Sequence, residues 1–217
     1  EGLFGIEPDA LNDTLLIKPG LPAQWSFAAL SVPDISIDFK RKNNIDFYTI
    51  TPSFQKEMHL KFIGRARMDN VESVKVNGKI IQWKQLENAI ANPSIEINIP
   101  AKKNYDIQIK WAGKTFVKPA LKDSFTNNEN LQLQFADERI IKVFDPQKCL
   151  KQANTNDHQL NAVVQNTGNK TFFVEVQQGV FTYWQPFSFY VKSNNKNKTD
   201  TSLITDQSVF DTIDLQH

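Results

Sequence analysis

Apolar and polar residues alternate along many short segments of this chain. Residues 94–99 read Ser-Ile-Glu-Ile-Asn-Ile, and residues 105–111 read Tyr-Asp-Ile-Gln-Ile-Lys-Trp. The same alternation recurs in four further segments: 35–39, 58–62, 131–135 and 172–176. A period of two residues is that of a β-strand with one buried and one solvated face. Strands that recur this often, with Asn, Gly and Pro between them, predict an all-β fold of antiparallel sandwiches with very little helix.

The inward positions of these strands predict the core. Two β layers should enclose ten large apolar side chains: Ile35, Ile37, Phe39, Leu60, Phe62, Ile95, Ile97, Ile107, Ile109 and Trp111. Helix should account for under about a tenth of the residues, against about a third in a typical globular protein.

Two short sequences predict hairpin turns. Asn77 and Gly78 lie between two apolar runs, and this pair supplies the two positive-φ residues of a type I′ turn. Gln178 and Gly179 precede the run Val-Phe-Thr-Tyr-Trp and predict a second hairpin.

The succession of strands and loops predicts two β-sandwich-like domains in tandem. Nine strands are predicted in the first domain, residues 1–113: 14–18, 25–30, 34–41, 45–51, 57–63, 71–76, 79–83, 94–99 and 104–111. A mostly polar stretch at 119–130 interrupts this rhythm. Five strands are predicted in a second, smaller, immunoglobulin-like domain, residues 114–191: 131–135, 139–144, 160–165, 171–177 and 180–191.

The last segment, residues 192–217, predicts a polar linker and tail. Residues 192–202 contain no apolar side chain, so they bury too little to offset the entropy of ordering them. Four apolar side chains follow, and we expect them to dock on the body or on a partner: Val209, Phe210, Ile213 and Leu215.

Composition and charge exclude several classes of function. Apolar residues make up 40% of the 217 residues, and no run reaches the ~18 apolar residues of a membrane helix. Lys+Arg 25 against Asp+Glu 24 gives a net charge of +1, so no global field attracts nucleic acid. One cysteine and three scattered histidines predict no cofactor and no metal site. Because the chain begins with Glu and no leader follows, we expect a piece of a longer protein.

Residues 2–39 resemble a known family. They contain Leu-Phe-Gly-Ile at 3–6, Pro8 and Asp9 in a loop, Leu-Leu-Ile at 15–17, then Pro-Gly-Leu-Pro at 19–22 with Trp25 three residues on. This pattern is similar to the entry into the C-terminal β-sandwich of glycoside hydrolases and phosphorylases built on an (α/α)6 barrel, such as α-L-rhamnosidases and maltose-phosphorylase-like enzymes.

The second half resembles the end of an uncharacterised Bacteroidetes family assigned as glycosidases, through Asn-Thr-Gly at 166–168, Thr-Phe-Phe-Val at 171–174, Gln-Gln-Gly at 177–179 and Tyr-Trp-Gln-Pro-Phe at 183–187. The resemblance implies a periplasmic or extracellular accessory portion that packs against a helical barrel upstream in the same polypeptide. In such enzymes the catalytic carboxylates lie on the barrel, so this chain alone is expected to have no enzymatic activity.

The resemblance also suggests what the first residues do. In the resembling enzymes, the stretch that contains Leu3, Phe4 and Ile6 leaves the barrel and lies at the seam between domains. Without the barrel, we expect these side chains to fold back onto the sandwich or to contact another surface, because leaving all three in water would forgo roughly 5–8 kcal/mol.

Three aromatic residues are candidates for sugar binding, because a pyranose presents an apolar C–H face to an aromatic ring. Tyr183 and Trp184 are adjacent, so on a strand they face opposite ways and at least one should be exposed. Trp25 follows a proline-rich turn and should lie at a domain edge, whereas Trp111 alternates in phase with the predicted core.

Two carboxylates, Glu7 and Asp9, are candidates for the rim of the barrel's pocket. A glycosidase needs two carboxyl groups, but these must flank a sugar at about 5–10 Å, so catalysis by two acids on one tight loop is not expected. Cys149 has no evident catalytic partners and should be a half-buried apolar residue.

Two other functions remain open. The chain could be a carbohydrate-binding module that uses exposed aromatic side chains and binds polysaccharide. It could instead be a cell-surface adhesion or scaffold protein of immunoglobulin-like units, which predicts that the second domain is a free-standing seven-stranded sandwich.

Overall fold

The computed structural model of the chain describes residues 2–194. Within that range there is no helix, and 61% of the residues lie in strands. The predicted all-β fold with very little helix is therefore confirmed. The strands form four sheets, of five, six, four and three strands.

The first eleven strands form the first two sheets. Their bounds are β1 (Ile6–Asp9), β2 (Thr14–Ile17), β3 (Phe27–Val32), β4 (Ile35–Lys42), β5 (Ile45–Pro52), β6 (His59–Arg65), β7 (Met68–Val76), β8 (Lys79–Ile80), β9 (Lys84–Gln85), β10 (Ser94–Ile99) and β11 (Tyr105–Thr115). One sheet has the order β1-β2-β6-β10-β9 and the other β3-β4-β5-β11-β7-β8. We call these two sheets the first sandwich.

The last seven described strands form the other two sheets. Their bounds are β12 (Ser124–Thr126), β13 (Asn130–Gln134), β14 (Arg139–Phe144), β15 (Leu150–Thr155), β16 (Gln159–Val164), β17 (Gly168–Gln178) and β18 (Phe181–Lys192). One sheet has the order β12-β18-β17-β14 and the other β13-β16-β15. We call them the second sandwich. Among the described strands, all pairs are antiparallel except β2–β6 and β12–β18.

The predicted core is confirmed. All ten side chains named above are buried, each at most 3% exposed. Most residues between them face solvent, as Asp38 and Lys40 do on β4, whereas Glu96 between Ile95 and Ile97 is itself buried. Alternation predicts burial correctly here because the pleat of each strand sends successive side chains to opposite faces.

Both predicted hairpins are present. Asn77 and Gly78 have φ of 49° and 78°, as a type I′ turn requires, and β7 pairs with β8 on either side of them. The second hairpin joins β17 to β18, with Gly179 at φ 57° in the turn.

The alternation of apolar and polar residues did not predict four of the strands: β1, β9, β12 and β15. β9 and β12 are two and three residues long, too short to show a period. β15 begins with Leu150 and continues through four exposed polar or small residues, so it lacks an inward row. These strands form because a neighbouring strand offers hydrogen-bonding groups, which no local pattern reports.

The N-terminal segment packs on this chain's own body. Phe4 is 3% exposed in the core, and Ile6 packs against it at the start of β1. The Lys18 amide donates to the Gly5 carbonyl, and the Gly20 amide donates to the Leu3 carbonyl. Folding back onto the sandwich is one of the two outcomes expected above, while Leu3 stays 40% exposed.

The strand order of the second sandwich is similar to that of an immunoglobulin-like domain. Its third, sixth and seventh strands share one sheet, and its second, fourth and fifth share the other. β12 differs, because it pairs in parallel with β18 instead of joining β13. The predicted cluster at 209–215 lies outside the described residues, as does most of the predicted tail.

Candidate functional site

The first sandwich covers a free edge of β18. The Trp184 amide donates to the Ala89 carbonyl at 2.9 Å, and the Ala91 amide donates to the Trp184 carbonyl at 2.7 Å. The Gln85 side chain bonds both the amide and the carbonyl of Thr182. Residues 89–91 thus act as a short parallel strand on β18. This contact places two surfaces at the junction, one on each side of β18.

One surface is an exposed set of aromatic rings, which we call the aromatic platform: Phe144, Phe173 and Trp184. The ring centroid of Phe144 lies 6.3 Å from those of both other rings. Phe144 is 51% exposed, and the other two are half-buried. The rings border a shallow depression of about 410 Å³ together with Asn88, Ile90 and Lys142.

Strand register explains how these rings meet. Phe144 on β14 is opposite Phe173 on β17, and in the adjacent row Lys142 is opposite Glu175, which is opposite Trp184 on β18. The platform therefore carries a cation and a carboxylate beside its rings. Such polar groups can hydrogen-bond sugar hydroxyls while the rings cover an apolar face.

Tyr183 and Trp184 face opposite sides of the strand, as their adjacency predicts. Trp184 points to the platform, whereas Tyr183 is 1% exposed and packs inward with its ring 5.6 Å from that of Phe116. Burial raises the pKa of Tyr183 well above its ordinary value, so the phenol stays neutral. As an exposed stacking surface Tyr183 is therefore excluded, because its ring is covered by the core.

The second surface is a cleft of about 550 Å³ on the other side of β18, which we call the junction cleft. Residues from both sandwiches line it, including Tyr48, Phe116 and Gln185. Its cationic side chains are Arg41, Arg65, Arg67 and Lys118, and no carboxylate is among the described residues that line it. This volume lies within the about 300–1,000 Å³ range of small-molecule sites.

A buried carboxylate beneath the cleft holds two of these arginines. Asp46 is 2% exposed and accepts from Arg41 Nε at 2.8 Å, from Arg67 Nη1 at 3.0 Å and from Trp111 Nε1 at 3.1 Å. Arg41 also donates to the carbonyls of Ala23 and Trp25, so its donors are largely engaged. A buried carboxylate is costly unless cations lie beside it. Asp46 therefore holds the side chains of Arg41 and Arg67 in place, and these side chains form part of the cleft wall.

A second buried polar group lies at the cleft near β18. Gln185 is 3% exposed, and its Nε2 donates to the Tyr183 hydroxyl at 2.9 Å and to Glu138 Oε1 at 3.3 Å. Gln185 Oε1 is buried and accepts no hydrogen bond from the described residues. A buried acceptor without a donor is uncommon in folded proteins, and it favours a ligand that brings one.

The remaining predicted residues lie away from the cleft and the platform. Glu7 and Asp9 are exposed on β1. The Asp9 carboxylate accepts from the Asn12 side chain and from the amides of Leu11 and Asn12, and these bonds lower its pKa. Asp9 thus stabilises the β1–β2 turn. Trp25 is 40% exposed at the edge of the first sandwich, and it does not line either surface.

Cys149 is fully buried, not half-buried as predicted from the sequence. Burial, with the Asp145 carboxylate beside it, raises the pKa of its thiol to about 12. The thiolate is therefore scarce at neutral pH, which makes a nucleophilic role unfavourable. Within residues 2–194, no three His, Cys, Asp or Glu side chains form a group suited to a metal ion. No helix in the described range is long and apolar enough to cross a membrane.

The sequence pattern missed Phe144 as a surface residue, whereas the alternation along 172–176 does place Phe173 on the outer face. Strict alternation along 140–144 would put Phe144 on the same face as Ile140. A β-bulge between Ile140 and Lys142 shifts the register, so that Ile140 and Val143 face inward while Phe144 faces outward. No local signal in the sequence marks this bulge.

Comparison with known proteins gives distant likenesses only. No family model and no curated protein matches the chain. Among solved structures, a polysaccharide lyase is similar with a TM-score of 0.35 and 10% identity, over 78% of this chain and 35% of that one.

The SGBP-B protein of the Bacteroides ovatus mixed-linkage glucan utilization locus, in complex with a mixed-linkage heptasaccharide, is similar with a TM-score of 0.27 and 12% identity. That match covers 77% of this chain and 64% of the other. The chain thus spans less than two thirds of both structures. Both scores are low, so these likenesses do not establish a shared function.

Proposed function

We propose that this chain is a non-catalytic accessory β portion of a carbohydrate-active protein and that it binds glycan at the aromatic platform. The proposal rests on one observation. Phe144, Phe173 and Trp184 face outward together, and about half of the Phe144 side chain is exposed to solvent. Aromatic rings of this size are usually buried in a sandwich core. Here the core is already filled by the inward-facing residues of β14, β17 and β18, so these three rings lie on the outer face.

The chemistry of the platform suits a neutral sugar. A pyranose has an apolar C–H face that can lie on an aromatic ring, while its equatorial hydroxyls point sideways. Lys142, Glu175 and the exposed Asn88 stand beside the rings and provide a cation, an anion and an amide for those hydroxyls. The core of a protein–protein interface is usually depleted of charged residues, so the charged neighbours of these rings favour a sugar over a protein partner.

Two variants test the platform. We expect Phe144→Ala and Trp184→Ala each to weaken binding of a soluble neutral polysaccharide by about thirtyfold, or about 2 kcal/mol, as for a central aromatic anchor. Affinity electrophoresis against a panel of β-glucans, xylans, mannans and α-glucans would find the ligand, and calorimetry would measure the loss.

Trp25→Ala is the matched control, because Trp25 is exposed but lies outside the platform. It should leave binding unchanged. Phe144 is half exposed, so its removal should leave the fold intact by circular dichroism even if Trp184→Ala destabilises the junction. Absence of binding to every neutral polysaccharide, or binding by both platform variants as tight as that of the unmodified chain, would overturn the proposal.

The parent protein is proposed from the sequence resemblance. We infer a helical-barrel domain upstream in the same polypeptide, with a periplasmic or extracellular location, and the catalytic carboxylates on that barrel. The exposed Leu3 beside the buried Phe4 is compatible with a contact there. Sequencing the gene upstream of Glu1 tests this point, and an upstream region without a helical domain would contradict it while leaving glycan binding untouched.

A further inference from the structure

We propose that the junction cleft binds an acidic sugar, with Arg65 and Lys118 contacting its carboxylate. This site is separate from the platform and does not depend on the proposed function there. The cleft is the place where both sandwiches contribute side chains to one concave surface. Sites between structural units are common locations for small-molecule ligands.

The charge of the cleft favours an anion. Four cations line it, and the two carboxylates buried beneath it are Asp46 and Glu138, which leaves an excess of two positive charges. Burial raises the pKa values of Tyr48 and Tyr183, so neither phenol adds negative charge at neutral pH. A concave surface with this excess attracts an anionic ligand.

The four cationic side chains differ in how many of their hydrogen-bond donors already have a partner in the protein. Arg41 and Arg67 hold Asp46, and their side chains are 14% and 25% exposed. Among residues 2–194, the exposed Arg65 bonds only the Asn92 amide oxygen. Lys118 is also exposed; it donates to the Pro186 carbonyl and lies 4.9 Å from the centroid of the Phe187 ring. Both Arg65 and Lys118 therefore retain donors for a carboxylate, for which the guanidinium fork is well matched.

The wall of the cleft also contains a buried acceptor. Gln185 Oε1 accepts no hydrogen bond from the described residues, and it belongs to a side chain that lines the cleft. Sulfate has only acceptor atoms at neutral pH and cannot satisfy this oxygen. A sugar acid brings hydroxyl donors together with a carboxylate, so it matches both the cations and the amide oxygen.

Pairs of oligosaccharides that differ only in charge would test this proposal. The probes are trisaccharides of galacturonate, glucuronate and mannuronate, each with its fully methyl-esterified form, titrated by calorimetry at low ionic strength. We expect at least one acid to bind, its ester to bind at least tenfold more weakly, and the affinity for the acid to fall as sodium chloride is raised.

The variants Arg65→Gln and Lys118→Gln should together weaken binding of the acid by at least tenfold and leave binding of the ester unchanged. Lys142→Gln, a cation of the platform, is the matched control and should not change the affinity for the acid. Because Arg65 and Lys118 are exposed, both variants should fold.

Three results would overturn the proposal: no acid binds, an ester binds as well as its acid, or the double variant binds the acid like the unmodified chain. Inorganic sulfate should not displace the bound acid at equal concentration, and displacement would be a fourth contradicting result, because it would show a simple anion site instead. Failure here is distinguishable from failure of the platform, since Phe144→Ala affects neutral glycans and should spare the acid.

Discussion

Individual buried charges hold the first sandwich in place. Asp46 is the clearest case, because its carboxylate lies in the interior and depends on three donor side chains from three other strands or loops. Glu96 on β10 is similar, with Asn98, Lys61 and Lys84 around it. Each arrangement compensates a charge that would be costly to bury alone.

Asp46→Asn should lower the free energy of unfolding by about 3 kcal/mol, because the amide leaves Arg41 and Arg67 without their counter-charge. Urea unfolding followed by tryptophan fluorescence measures the change. Asp38→Asn, on the exposed face of β4, should change stability by no more than about 0.5 kcal/mol. A loss at Asp46 as small as that at Asp38 would show that the ion pairs add nothing.

The pH dependence of stability should report on Glu96. Burial acts to raise the pKa of Glu96, but the hydrogen bonds from Asn98, Lys84 and Lys61 outweigh it, so the folded pKa lies below 4.5. A lowered folded pKa means that the carboxylate stabilises the fold above the unfolded pKa, and that this contribution is lost as pH falls through the folded pKa.

The double variant Lys61→Gln and Lys84→Gln should therefore be less stable than the unmodified chain at pH 7, by about 0.5–1 kcal/mol because both lysines are partly exposed. The difference should shrink below the folded pKa, where Glu96 is protonated in both proteins. Urea titrations at a series of pH values from 7 downward measure it, with Lys40→Gln as a control. A deficit that stays constant over the whole acid range in which the fold persists would contradict this account.

The turn of the β17–β18 hairpin lies directly against the first sandwich. The Val180 amide donates to the Asp69 carbonyl at 2.9 Å. A Cβ on Gly179 would lie 2.0 Å from that carbonyl oxygen, and Gly179 also has φ of 57°. Both the backbone conformation and the contact require glycine at this position.

Gly179→Ala should therefore destabilise the chain by more than the about 1–2 kcal/mol that a left-handed backbone alone costs an alanine. Gly78→Ala is the matched control, because Gly78 has φ of 78° with nothing within 4 Å of its Cβ position. The excess loss in Gly179→Ala over Gly78→Ala, measured by denaturant unfolding, reports the clash with Asp69. Equal losses of unfolding free energy in the two variants would mean that a Cβ at position 179 does not clash with Asp69.

The two sandwiches share one hydrophobic core through a cluster of rings. Phe181 is fully buried, and its ring lies 5.9 Å from those of both Trp83 and Phe116. Phe116 in turn contacts Tyr183 edge-on. Since Trp83 belongs to the first sandwich and Phe181 to the second, unfolding of either should expose apolar surface of the other.

The unmodified chain should unfold in a single calorimetric transition, and Phe181→Ala should both lower stability by about 3–5 kcal/mol and separate the transition into two. Phe189→Ala is the control, since Phe189 packs on Phe125 and Phe172 within the second sandwich. It should lower stability without separating the transition. Two transitions in the unmodified chain, or identical behaviour of the two variants, would contradict a shared core.

The division at residues 1–113 and 114–191, predicted from the succession of strands and loops, remains a prediction about folding units. β11 continues through Thr115, and the junction bonds and rings link both sides, so the sequence boundary says little about independent stability. The seven strands of the second sandwich equal the number expected for a scaffold domain, but residues 89–91 of the first sandwich cover its β18 edge. It is therefore not free-standing in this chain.

The local pattern of the sequence was sufficient to predict the class of fold, most strands, two hairpins and the core. These depend on the pleat of a strand and on turn residues such as Asn77 and Gly78, and both are short-range properties of the backbone. The opposed faces of Tyr183 and Trp184 followed for the same reason. Which of the two is exposed did not follow, because the partner of each face lies far away in sequence.

Only the tertiary structure decided the sheet order, the platform and the junction cleft. The bulge after Ile140 turns Phe144 outward and so creates the platform. Arg41, Arg65 and Lys118 reach one cleft through three different parts of the chain. Contacts of this kind depend on which strands pair and how two sandwiches dock, and these follow from the packing of distant residues, which a period of two residues does not encode.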